Sequence, residues 1–290
     1  MSYGLLFKPR SGPFDPVGFE EYFRRRPHYR LEATQAWYEN QDTGVYFHFD
    51  LQQADDGDEG EHYPVAFNIN YFRPRHFIRE AEPEVRAFIQ HFDLLVADFQ
   101  TNGMGEGEYA SEKLLAGWDH GNELAFSVVL GKGEGERPNV LHQPTEVIER
   151  VWRWNLDRER VQSTLDEDKF VPLVMFFRLD GELVTGCVWP DGIPMVLPPV
   201  DVLCLARKQL APRRLFRKVE DMVFVRWQDV LPVFQKFGNS GADGVVTLDY
   251  LTAPPEVAKF FRSFPARREN VSLVSAENVL NTELCQPYLD

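Results

Sequence analysis

His48 and Asp50 stand two residues apart in "GVYFHFDL", where Val45, Phe47, Phe49 and Leu51 fill the alternate positions. On a β-strand this spacing puts both polar side chains on one face and the apolar ones on the other. A histidine held by a carboxylate can serve as a general base, or the two can be metal ligands. "VAFNINYF" repeats the pattern, with Val65, Phe67, Ile69 and Tyr71 on one face and Asn68 and Asn70 on the other. If the two strands pair, His48, Asp50, Asn68 and Asn70 make one polar patch that a helix or a partner protein could cover.

Nothing near the pair completes a catalytic set. The other histidines show neither His-x-x-x-His nor His-Glu-x-x-His spacing, and there is no Gly-x-Ser-x-Gly elbow. No third ligand at metal spacing accompanies His48 and Asp50, so neither a metal nor a cofactor is expected. The glycine runs "GMGEGEY" and "GKGEGE" fit no phosphate-binding loop, and acids crowd the places a phosphate would occupy. Cys187, Cys204 and Cys285 are odd in number and widely spaced, which excludes a disulfide framework and a thiolate zinc site. Cys187 and Cys204 sit in apolar runs and read as small core residues.

Between the two strands the chain carries Asp55, Asp56, Asp58, Glu59 and Glu61, and from Leu31 to Phe72 there is no Lys or Arg. Counted from Asp56, an EF-hand would need glycine at its sixth position, where Glu61 stands, so the loop is not a calcium site of that type. A solvated loop, adventitious binding of a divalent cation and an electrostatic contact surface are the three readings left. The formal charge of −14 is uneven. Through Asn139 there are 13 basic and 24 acidic residues, against 18 and 21 in the rest. Such a field repels nucleic acid and anionic membranes and steers a basic partner inward. The start "MSYGLLFKPR" has no signal-peptide pattern and no run is long enough to span a bilayer, so a cytoplasmic location is expected.

The elements that must position these residues follow from periodicity. "SYGLLFKP" predicts a strand, and "DPVGFEEYFRRR" a helix with Asp15 as N-cap and Pro16 at its first position. Extended segments follow near Tyr29 to Tyr38, then the two alternating strands. "EPEVRAFIQHF" places Val85, Phe88, Ile89 and Phe92 on one helical stripe, and "DLLVADF" closes the unit as a strand. The order β-α-β-β-β-α-β predicts a ferredoxin-like α+β layer with an extra strand. After a briefly helical stretch, "GKGEGERPN" reads as a linker, giving a first domain over residues 1 to 138 and a second over 139 to 290. The second predicts an α+β unit with a mixed or antiparallel sheet, including a hairpin turn at Asp180-Gly181. Its opening helix carries Trp152 and Trp154 two apart, so either one of them faces a domain interface or a partner, or the helix has a wide apolar stripe.

"YENQDTGVYFHFDL", "FNINYFRPRHFIREAEPEVRAFIQHFDL" and the following "GMGEGEY" resemble a set of uncharacterised bacterial proteins, myxobacterial among others, taken for immunity proteins of secreted polymorphic toxins. The resemblance covers residues 37 to 120, rests on aromatic and structural motifs, and brings no active-site residues with it. It implies a binding protein that buries the active surface of a cognate toxin, commonly a basic nuclease, to which a carboxylate-rich face is complementary. On that reading Asp55, Asp56, Asp58, Glu59 and Glu61 steer association. Tyr46, Tyr63 and Phe72 supply aromatic anchors beside His48, Asp50, Asn68 and Asn70. Two alternatives stay open: a hydrolase or transferase, with or without a metal, using His48, Asp50 and Asn68, and an adaptor or assembly subunit.

Overall fold

The computed structural model describes residues 1–52, 62–131, 139–211, 213–214, 217–218, 221–241, 243–265 and 270–289. The chain divides into two compact units, Met1–Ile148 with Glu277–Asp290, and Glu149–Ala276. The acidic residues 55, 56, 58, 59 and 61, and most of the linker expected near residue 135, lie outside the described residues.

In the first unit the order is β1 (Ser2–Pro9), α1 (Pro16–Arg24), β2 (Tyr29–Glu32), β3 (Gln35–Asn40), β4 (Val45–Leu51), β5 (Val65–Asn70), α2 (His76–Phe92), β6 (Leu94–Asp98), β7 (Gly105–Gly107) and α3 (Ser111–Leu130). The strands form one antiparallel sheet ordered β2-β3-β4-β5-β1-β6-β7. Its centre, β4-β5-β1-β6 with α1 and α2 on one face, is the ferredoxin-like arrangement. The extended region near Tyr29 to Tyr38 is a hairpin of two strands rather than one. Its turn places Ala33 at a φ of 49°, a conformation for which alanine gives no sequence signal.

Phenylalanines dominate the covered face. Phe88 of α2 is fully buried, with its ring 4.7 Å from Phe49, 5.5 Å from Phe23 and 5.7 Å from Phe7. These separations suit offset and edge-on aromatic contacts. α2 begins at His76, six residues before the expected start at Glu82; Pro83 there mimics a first-turn proline but lies inside the helix.

α3 is a full 20 residues, although Gly117 and Gly121 argue for a brief helix. Both glycines face tyrosines. A Cβ at Gly121 would stand 2.2 Å from the Tyr71 hydroxyl oxygen, and one at Gly117 would stand 3.0 Å from that of Tyr3. The helix gives up propensity so that the sheet's aromatic rings can approach its backbone. Gly121→Ala is therefore expected to lower stability by about 1–3 kcal/mol in urea unfolding, despite alanine's better helix propensity. A gain of about 1 kcal/mol would show that the Tyr71 ring swings clear at no cost.

The tail returns to this unit. β8 (Leu141–Gln143) opens into α4 (Thr145–Gln162), inside which the division between units falls. β19 (Val279–Asn281) pairs in parallel with β8, and α7 (Thr282–Cys285) follows it. Leu280, Leu284 and Cys285 pack with Phe126 and Leu130 of α3. Asn281 Oδ1 accepts from the Arg75 backbone N–H at 2.9 Å, and its Nδ2 donates to Thr145 Oγ1 at 2.9 Å. Residues 139–148 and 277–290 thus belong with the first unit and not, as expected from sequence, with the second.

The second unit holds β9 (Met175–Leu179), β10 (Glu182–Pro190), β11 (Val196–Leu197), β12 (Val202–Arg207), β13 (Arg213–Arg214), β14 (Arg217–Lys218), β15 (Asp221–Arg226), α5 (Trp227–Phe237), β16 (Gly238–Ser240), β17 (Val246–Leu248), α6 (Pro255–Ser263) and β18 (Val271–Val274). Its main sheet, β15-β12-β10-β9-β18, is mixed, since only β10 and β12 run parallel. Asp180 and Gly181 turn β9 into β10 with φ values of 50° and 97°, as a type I′ hairpin requires. Trp189 packs on Phe234 of α5 and Phe261 of α6. Cys187, Cys204 and Cys285 are all buried, and burial pushes the Cys187 thiol up. Among the described residues no helix is long and apolar enough to cross a membrane.

Candidate functional site

The second face of the seven-stranded sheet is built from the alternate residues of its strands. Cross-strand register aligns Trp37 of β3 with His48 of β4, His48 with Asn68 of β5, and Asn68 with Gly4 of β1. One pair further along lie Gln35, Asp50, Ala66 and Leu6, and Leu6 pairs in turn with Ala97 of β6. His48, Asp50 and Asn68 are half-buried.

This register is held from the other side of the sheet. Tyr38 Oη, Asn40 Nδ2 and Thr43 Oγ1 all donate to Glu80 Oε1 of α2, at 2.8, 2.9 and 2.9 Å. The carboxylate is buried and fastens both sides of the β3–β4 turn to the helix. Burial, and then the nearby Glu80 charge, push the Tyr38 phenol up. A slip of one residue in this hairpin would exchange the polar and the core faces.

On the second face His48 Nε2 lies 3.0 Å from Asp50 Oδ2, and Asn68 Nδ2 donates to the same oxygen at 3.2 Å. Trp37 stacks on the imidazole with ring centres 4.3 Å apart, and its indole N–H donates to Gln35 Oε1 at 2.9 Å. The imidazole is thus fixed in both plane and rotation. Trp37 and Gln35 are members of this site that the histidine search missed. The alternation of "QAWYEN" carries the signal, because it sets Gln35, Trp37 and Glu39 on the face opposite Ala36 and Tyr38.

Small residues floor the middle of the face. Gly4, Ala66 and Ala97 leave a trough of about 200 Å³, bordered by Asn68 on one side and by Phe99 on the other. Phe99 is 68% exposed, so much of its apolar ring surface remains in water. Beyond it Tyr63 meets Phe99 edge-on at 6.1 Å and donates its hydroxyl to Glu106, which also receives Lys8 Nζ at 3.0 Å.

Of the residues expected here, His48, Asp50, Asn68 and Asn70 do share one face, and Tyr46 and Tyr63 lie with them. Tyr46 is already engaged. Its hydroxyl accepts from Arg73 Nη2 at 2.6 Å and Nε at 3.0 Å, and from Asn70 Nδ2 at 3.4 Å. Phe72 is not brought to the site. β5 ends at Asn70, and a φ of 58° at Phe72 turns the chain so that its ring packs on Phe126 of α3 at 4.7 Å. Its backbone N–H donates to Asn122 Oδ1 at 2.7 Å. Strand parity alone would have kept Phe72 beside Asn68 and Asn70, but it applies only while the strand lasts.

Chemically, the site presents an oriented imidazole, a carboxylate, an amide and an indole around an empty depression. No Ser, Thr or Cys occupies the cross-strand positions next to His48. Among the described residues no group of three or more His, Cys, Asp or Glu side chains could hold a metal ion. No protein-family model, no curated protein and no solved structure matches the chain.

Proposed function

We propose that the protein is an immunity-type binding protein that neutralises a basic cognate toxin by covering its active surface with the second face of the first unit's sheet. The observation that carries this reading is the uncovered trough over Gly4, Ala66 and Ala97, flanked by the Trp37–His48 stack and by the exposed Phe99. Aromatic side chains around a depression that one inserted side chain can fill are the usual anatomy of an interface hot spot. The charge supports it too. The chain from Gln52 to His62 carries five acids and no Lys or Arg, which favours fast association with a basic surface.

The test is growth rescue, together with a measured affinity, on co-expression with a toxin domain encoded beside this chain. At Gly4 an added Cβ meets only ordinary contacts, at 3.5 Å from Asn68 Oδ1 and 3.6 Å from the Phe67 carbonyl oxygen. Gly4→Phe should therefore fold normally, fill the trough and weaken the complex by about 2 kcal/mol or more, roughly thirtyfold, with loss of rescue. Unaltered affinity in a folded Gly4→Phe protein would remove this face from the interface.

A second reading is a hydrolase or transferase, favoured by the hydrogen-bonded His48–Asp50 pair with Asn68 on the same oxygen. The two readings part at His48→Ala. Binding predicts a graded loss of at most about 2 kcal/mol in affinity, whereas a general base removed from its place abolishes turnover. A metal present in stoichiometric amount, and lost with turnover in His48→Ala, would overturn the binding reading.

A further inference from the structure

The seven-stranded and the five-stranded sheet end in β2, β7, β15 and β18, and the first three of these edges carry features that discourage a further strand. β2 sets the exposed ion pair of Arg30 and Glu32 along its edge. β7 is three residues long, with positive φ at both Gly105 and Gly107. β15 begins at Asp221, whose carboxylate is held by the buried Arg207, and ends at Arg226, which pairs with Glu182. β18, Val271-Ser272-Leu273-Val274, has no charge, no proline and no bulge.

The backbone of β18 is open for pairing. Asp180 N–H donates to the Asn270 carbonyl at 2.9 Å, so Asn270 bonds toward β9 and, because an antiparallel ladder alternates, Ser272 does too. The N–H and C=O groups of Val271 and Leu273 therefore point outward, where no described strand meets them. The side chains of these two residues are apolar and exposed, Leu273 by 64%, and stand beside Leu179 and Phe177 of β9. Phe177 packs in turn on Phe224 at 5.3 Å, so the edge continues an apolar face of the sheet.

We infer that this edge joins two copies of the chain, each pairing β18 antiparallel with the other's about Ser272, so that two five-stranded sheets become one. Two-fold symmetry makes the strand its own complement. Val271 lies opposite the partner's Leu273 and Leu273 opposite the partner's Val271, and each of these pairs exchanges both N–H···O bonds. Ser272 meets the partner's Ser272 on the other face. Charge favours this contact over others between copies. Residues 140–290 carry 18 basic and 21 acidic residues, against 13 and 24 through Asn139, so two copies repel least through the second half of the chain. Arg178, beside Ser272 on β9, ends about 14 Å from the partner's Arg178 across three strand spacings, beyond the roughly 8 Å Debye length of physiological salt. A foreign strand selected by charge finds none to read on this edge.

The experiment is sedimentation velocity of the full chain over a range of about 1 to 300 μM. We expect a reversible monomer–dimer equilibrium with a Kd on the order of 10 μM, as suits a contact at the small end of the interface range. Leu273→Lys, at an exposed position where folding is unaffected, should weaken the dimer by about thirtyfold or more. Met222→Lys, 59% exposed on the same sheet face but on the opposite edge strand, should leave the Kd within about twofold. Ser272→Cys tests the register. The central pair carries no hydrogen bonds, which sets its Cα atoms about 4.5 Å apart, inside the disulfide range of roughly 4.4–6.8 Å. This variant should therefore form a disulfide-linked dimer under mild oxidation, whereas Leu273→Cys should not, and the three native thiols are buried and give no background. A monomer at every concentration, a dimer weakened equally by Met222→Lys, or faster cross-linking through Leu273→Cys would overturn the proposal. Toxin binding is assigned to the first unit's sheet, so failure of either reading leaves the other standing.

Discussion

Asp221→Ala is expected to destabilise the second unit by about 3–5 kcal/mol, one of the two largest effects anticipated in this protein. Arg207 is 1% exposed at the C-terminal end of β12. Its Nε and Nη2 donate to Asp221 Oδ1 and Oδ2, both at 2.7 Å, and its Nη1 donates to the Phe261 and Phe264 carbonyls at 2.8 and 2.7 Å. The guanidinium thereby joins the edge strand β15 to the C-terminal end of α6, whose last carbonyls it satisfies. Removing the carboxylate leaves a buried cation with its two carbonyl partners and no counter-charge, which is where the cost arises. The double replacement Arg207→Met with Asp221→Leu takes away both charges, so it should cost less than Asp221→Ala alone. Urea unfolding of the three variants measures this. A single-variant loss below about 1 kcal/mol would mean that water reaches the guanidinium.

Acid should weaken the first unit through His76. This imidazole, at the start of α2, is fully buried, and its pKa is lowered from 6.5 to about 3 by that burial, against a hydrogen bond with the Thr43 backbone that raises it and with Arg79 lowering it further. The folded state refuses a proton that the unfolded chain accepts. The neutral ring's contribution is therefore fully present above pH 6.5 and is lost as the pH falls from there toward 3. Between pH 7 and pH 4 the difference in proton uptake amounts to roughly 3 kcal/mol. His76→Leu should be less sensitive than the parent over this interval by about that amount, in urea unfolding at the two pH values. Parallel losses in the two proteins would show that the imidazole finds water or an acid partner in the folded state.

Periodicity specified much of the local structure. The alternation of residues 45–51 and 65–70 determined both strands and the side of the sheet on which His48, Asp50, Asn68 and Asn70 lie, because a period of two admits only two faces. The stripe at Val85, Phe88 and Ile89 determined the buried side of α2, and Asp180-Gly181 its hairpin turn, since few residues accept positive φ at both positions. Charge was legible as well, being a sum over residues.

What only the tertiary structure decided depends on residues distant along the chain or on packing that overrides propensity. The Trp37 stack on His48 needs the β3–β4 register, which Glu80 on a later helix fixes through Tyr38, Asn40 and Thr43. α3 runs through Gly117 and Gly121 because Tyr3 and Tyr71 occupy the space beside them, a reason that local propensity does not contain. Phe72 leaves the site because a left-handed turn ends β5. The tail joins the first unit because β19 finds its partner in β8, more than a hundred residues earlier, and a strand's own sequence carries no record of which distant edge it will pair with.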